Sequence, residues 1–126
     1  MARGKKANEN GNNTNNTLVI DLSKVANSCK VTEKENYELR EYIVTDNIKV
    51  NHYLYDNFET INIIFCNAFV VKCSVFENEQ KGINYIAYPS YLKVVNENGK
   101  TKNKYINTAY PFDKAFIECL NKIVNA

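Results

Sequence analysis

The chain has 126 residues, a formal charge of +2, 44% apolar residues and 24% charged ones. That is enough for one modest core with a polar tail. The near-neutral balance argues against a general DNA-wrapping protein, and no run of about 18 apolar residues marks a transmembrane helix.

Residues 1 to 17 are mostly Asn, Gly, Thr and Lys, with little to bury, and a disordered tail is expected. Arg3, Lys5 and Lys6 make it either a basic arm or a solubilising one. No apolar segment follows these charges, so a secretory leader is not expected and a cytoplasmic location is. One α+β domain is expected over residues 18 to 126, divided into a first part, 18 to 60, and a core, 61 to 126.

Leu18, Leu22, Val25, Ala26 and Cys29 fit a helical stripe, although Leu18-Val19-Ile20 alone suits a strand. The longer pattern favours a short helix. Lys30 to Asn36 is polar and reads as a connection. Tyr37 to Val44 and Ile48 to Tyr55 flank Thr45-Asp46-Asn47 as a hairpin, with Ile48, Val50, His52 and Leu54 on one face and Lys49, Asn51, Tyr53 and Tyr55 on the other. His52 is the single histidine. A metal site on it would need carboxylate or thiolate partners at ligand spacing, and none is near in sequence. A partly buried structural imidazole is therefore expected.

Ile61 to Phe65 and Phe69 to Phe76 read as strands around a Cys66-Asn67 corner. The second is apolar on both faces, as in a central strand or one that meets a partner. Ile83 to Phe112 then reads as one long β-hairpin, reversing at Asn96-Glu97-Asn98-Gly99. Each arm carries Ala-Tyr-Pro, and Pro89 and Pro111 mark edges or strand ends because proline donates nothing to a ladder. Beyond Pro111 the period changes: Phe112, Phe116, Leu120 and Ile123 recur at helical spacing, with Asp113 as N-cap. The expected whole is an antiparallel meander with a long hairpin and a C-terminal helix packed on it.

The four cysteines, Cys29, Cys66, Cys73 and Cys119, are irregularly spaced without a C-x-x-C and read as small buried hydrophobes. Hydrolysis through Cys66 or Cys73 with His52 would need an orienting acid and an oxyanion hole, and no motif supplies either. No phosphate-binding glycine loop or cofactor fingerprint is present. No enzyme activity, cofactor or metal is expected.

From Phe69 onward the chain resembles the SpoVG (stage V sporulation protein G, or septation protein) family. The matching residues are Phe69-Val70-Val71, Val75, a polar loop ending at Gly82, and Tyr85-Ile86-Ala87-Tyr88-Pro89-Ser90. Gly99 follows in a turn, and then Asn107-Thr108-Ala109-Tyr110-Pro111-Phe112 leads into the last helix. Ile61 to Phe65 fits the strand before them, so the likeness spans about half the chain. It implies a small bacterial regulator that binds DNA, and in some cases RNA, as a dimer joined along sheet edges. The family follows Pro-Ser with a basic pair, where this chain has Tyr91-Leu92 and then Lys93. The family's basic stretch ahead of the helix is shortened here to Phe112-Asp113-Lys114.

Two functions follow. Lys93, Lys100, Lys102 and Lys104 crowd the hairpin tip, with Tyr85, Tyr88, Tyr91 and Tyr105 along its arms. Lysines contact phosphate and tyrosines stack on unpaired bases, which suits weak, largely sequence-independent binding of single strands, with Lys114 as a further cation. Alternatively the lysines solvate and protect an exposed ribbon. In that case the fold serves as a protein-interaction or inhibitor module, phage- or mobile-element-encoded, acting on a host protein. A homodimer is expected in either case, because the hairpin edge and the two-sided strand need covering.

Overall fold

The computed structural model describes residues 18–126. The tail with Arg3, Lys5 and Lys6 lies outside the described residues. The elements are α1 (Leu22–Asn27), β1 (Lys30–Glu33), β2 (Tyr37–Thr45), β3 (Ile48–Tyr55), β4 (Glu59–Phe65), β5 (Phe69–Asn78), β6 (Ile83–Ala87), β7 (Ser90–Glu97), β8 (Lys100–Asn107) and α2 (Lys114–Val124). The fold is α+β. Strands β1 to β6 form one six-stranded antiparallel sheet in chain order, and β7 and β8 form a separate two-stranded ribbon.

Local chemistry explains the boundaries. Asp21 caps α1, its Oδ1 accepting from the backbone N–H of Ser23 and Lys24 at 3.0 and 3.2 Å. Asp113 caps α2 by accepting from Phe116 N–H at 3.0 Å, and its second oxygen takes the N–H of Leu18 at 2.9 Å. One carboxylate thus starts the last helix and fastens the first described residue to it. At the β4–β5 corner Cys66 and Asn67 both have φ of 53°, the type I′ pattern whose twist matches paired strands. Asn98 (φ 51°) and Gly99 (φ 76°) repeat it between β7 and β8.

One face of the sheet is the core. Val50, His52, Ile61, Ile63, Cys73 and Val75 are buried beneath Val25 of α1 and Phe116, Cys119, Leu120, Ile123 and Val124 of α2. Each such apolar side chain contributes about 1.5–3 kcal/mol of transfer free energy. The C-terminus of α2 is fixed to the edge strand by reciprocal amides. Asn84 N–H donates to Asn125 Oδ1 at 2.7 Å, Asn125 Nδ2 donates to Asn84 O at 3.0 Å, and Asn84 Nδ2 donates to Val124 O at 2.8 Å.

Four expectations need correction. Lys30 to Asn36 is not merely a connection: Lys30–Glu33 pairs with Glu38–Glu41 as an edge strand, ahead of a bend that returns the chain. The long hairpin from Ile83 is two objects. Ile83–Ala87 pairs with Ser74–Asn78 in the main sheet, and the hairpin itself spans Ser90 to Asn107. Pro89, unable to donate to a ladder, lies between them. Its carbonyl closes the ribbon's base by accepting from Thr108 N–H at 2.7 Å. Phe112 leaves the helical stripe: it precedes α2 and is 88% exposed. Cys66 is exposed rather than buried, because a corner residue with positive φ faces solvent, and Cys29 is half-buried.

Candidate nucleic-acid interface

The register of β7 and β8 decides which side chains act together. Directly opposed residues point to the same face, and neighbours along a strand point to opposite faces. The pairs Tyr91↔Ile106, Lys93↔Lys104, Val95↔Lys102 and Glu97↔Lys100 therefore share one face. The pairs Leu92↔Tyr105, Val94↔Asn103 and Asn96↔Thr101 share the other. All four hairpin lysines, Lys93, Lys100, Lys102 and Lys104, stand in one stripe with Tyr91 at its base. Tyr105, 75% exposed, turns away from them and joins Leu92 and Val94 on an apolar face.

The lysine face is not uniformly cationic. Glu97 lies within it, its carboxylate 2.9 Å from Lys104 Nζ and 3.8 Å from Lys102 Nζ. Lys93 and Lys100 make no ion pair among the described residues. Lys93 directly opposes Lys104, a like-charge pair that destabilises an isolated ribbon. Every residue of β8 is exposed, and only Val95 and Glu97 of β7 are partly covered, so neither ribbon face rests on the core.

The other residues expected at this site lie elsewhere. Lys114 is the exposed first residue of α2, beyond the ribbon's base and away from the lysine tip. Tyr85 belongs to β6, its ring 6.0 Å from that of Phe76. Tyr88 packs against the core, and burial pushes its phenol up to about 12. These two tyrosines are not on the hairpin arms. Glu97 was missed because it reads from the sequence as a turn residue; the signal was its i+7 spacing to Lys104 across a two-residue turn.

His52 is a core residue. Its ring is 1% exposed, and Nε2 lies 2.8 Å from Glu59 Oε1, a partner seven residues away brought in by the β3–β4 pairing. Burial lowers its pKa, against the opposing effect of Glu59. Cys73 occupies the same row two strands over, about 10 Å away by strand spacing. Burial pushes its thiol up to about 11, and that of Cys119 to about 11 as well. Among the described residues no three His, Cys, Asp or Glu side chains gather closely enough to hold a metal ion. No helix among them is long and apolar enough to cross a membrane.

Comparison with protein families, curated proteins and solved structures finds no match to this chain.

Proposed function

We propose that this protein is a small SpoVG-like regulator that binds single-stranded DNA or RNA, weakly and with little sequence preference, as a cytoplasmic homodimer. One observation carries the reading: the ribbon register gathers Lys93, Lys100, Lys102 and Lys104 on one exposed face with Tyr91. Such a stripe meets a phosphate backbone while its tyrosine offers a stacking surface. The resemblance in Tyr85–Ser90 and Asn107–Phe112 supports it. Glu97 restrains two of the lysines, which fits micromolar rather than nanomolar binding. Lys114 serves at most as a remote cation.

Titration of labelled single- and double-stranded DNA and RNA over a range of salt tests the proposal. Each phosphate contact contributes about 0.7 to the salt slope on single strands, so four lysines give about 2.8. Replacing all four by Ala should nearly flatten the slope. Unchanged binding by that variant would move the site elsewhere, and no binding by the parent at low salt would end the regulator reading.

The apolar ribbon face of Leu92, Val94 and Tyr105 favours a second reading, an interaction or inhibitor module whose ribbon docks on a host protein. In the regulator reading that face meets a second copy.

A further inference from the structure

The core is not closed at the end where α2 begins. Ile63 and Phe65 of β4, Val71 of β5 and Phe116 of α2 leave a pocket of about 210 Å³, rimmed by Ala109 and Pro111. Phe65 and Phe116 meet edge to face at 6.3 Å and 73°, and no charged side chain lines the space. An apolar cavity of about 150 Å³ already holds a benzene ring, so this one has room for a phenyl group. Phe112 follows Pro111 at the rim. It stands just before the Asp113 cap, where an apolar residue often packs back on the fourth helical residue, here Ile117. That contact is not made: Phe112 is 88% exposed, the most exposed aromatic side chain among the described residues, and Ile117 is only half-buried. Its backbone is nevertheless held. Pro111 precedes it, and the Asp113 carboxylate that follows is tied to the N–H groups of Phe116 and Leu18. A ring presented in this way loses little further freedom on binding.

Plug and socket therefore lie within a few residues of each other on one chain. A surface that carries both is self-complementary, and a twofold axis beside Pro111 puts each copy's Phe112 at the other's pocket. Such a contact closes at two copies instead of running on as a fibre. The area agrees with a dimer. Phe112 and Tyr110, both largely exposed, fall short of the roughly 800 Å² per partner that a stable interface buries. The ribbon springs from Ser90, two residues beyond the pocket residue Tyr88, and its apolar face adds Leu92, Val94 and Tyr105. All five together offer on the order of 700 Å² per copy. We infer that two copies join by reciprocal insertion of Phe112 into the pocket over Ile63, Val71 and Phe116, with the apolar ribbon faces alongside. The inference rests on the homodimer proposed above and specifies how its copies engage. It uses none of the ribbon lysines, which stand on the opposite ribbon face.

Sedimentation equilibrium of the full chain reads the dimer constant, and isotope-filtered NMR reads the contact. In the second measurement a copy with 13C-labelled Ile and Val methyls is mixed with an unlabelled copy. The Ile63 and Val71 methyls should show cross-peaks to a phenyl ring of the unlabelled copy, and Phe112→Ser in that copy should remove them. Phe112 is exposed in the single chain, so Phe112→Ser should leave thermal unfolding of the core unchanged. It should weaken the dimer by about 100-fold or more, since each of two buried rings is worth about tenfold or more. Ala109→Leu crowds the socket with Phe112 intact and should weaken the dimer too; if it lowers the melting temperature, Phe112→Ser alone decides. A dimer that survives Phe112→Ser but not Val94→Asp is held by its ribbons, which overturns the inference and leaves the homodimer standing. A dimeric parent without the filtered cross-peaks does the same. A monomeric parent removes both. Neither assay contains nucleic acid, so a failure of the oligonucleotide titrations is read separately.

Discussion

The His52–Glu59 pair allows a quantitative test of how this core is held. The carboxylate can only accept, so the short Nε2···Oε1 contact places the imidazole proton on Nε2 and leaves Nδ1 as a bare acceptor. Nδ1 has no partner among the described residues. Glu59→Ala then leaves the whole buried ring unsatisfied, at a cost of about 1–3 kcal/mol. For a domain of this size that lowers Tm by about 4–12 °C. His52→Leu removes the donor and the orphaned nitrogen together, and Glu59, 31% exposed, turns to water. That change should stay within about 1 kcal/mol. Burial holds the folded-state pKa of His52 below the usual 6.5. The unfolded chain therefore takes up the proton first: stability is full above about 6.5 and falls as pH drops below it. Because Glu59 raises that pKa, its removal should extend the acid loss to lower pH, and His52→Leu should abolish this component. Urea unfolding followed by far-UV circular dichroism from pH 5 to 8 measures the parent and both variants. A Glu59→Ala cost under about 0.5 kcal/mol, or a larger cost for His52→Leu than for Glu59→Ala, would refute the argument.

Gly99 has φ of 76°, so Gly99→Val should cost the ribbon on the order of 1–2 kcal/mol. Since the ribbon stands off the core, the loss should appear as about 5- to 30-fold faster hydrogen exchange in β7 and β8, with little change in global Tm. A fall in Tm without faster ribbon exchange would show that the ribbon is coupled to the core. Light scattering at tens of micromolar should give twice the 14.5 kDa chain mass, and Val94→Asp should halve it. A monomer mass for the parent would count against the dimer.

How much of this was legible depended on whether a local rule or a tertiary partner decided each element. The hairpin of β2 and β3, the Cys66-Asn67 corner, the Asp113 cap and the stripe of Phe116, Leu120 and Ile123 follow from period and turn chemistry, and each is visible in a few residues. Lys30–Glu33 was missed because a four-residue edge strand with mostly exposed side chains lacks an apolar alternation to announce it. Ile83–Ala87 was given to the wrong partner, since β-propensity says that a segment pairs but not with what. For the candidate site, residue types pointed to the four lysines, and the face they share needed the register. A two-residue turn at Asn98-Gly99 places Lys93 opposite Lys104, whereas slipping one strand by a residue would bring Tyr105 to the lysine side. The His52–Glu59 contact was hidden because its partners lie on different strands.

The ribbon itself has an energetic consequence. A two-stranded hairpin alone is marginal in water, and this one adds a directly opposed lysine pair and an exposed face of Leu92, Val94 and Tyr105. Glu97 relieves part of the charge through Lys102 and Lys104 but reaches no other lysine. Local features that work against stability in this way concentrate where a protein meets a partner. A polyanion would relieve the repulsion on one face and a second copy would cover the other, so each should stabilise the ribbon by the free energy of its own binding. Adding single-stranded oligonucleotide should then slow hydrogen exchange in β7 and β8 more than in β3 and β4. Uniform slowing across the sheet would place the bound strand somewhere other than the ribbon.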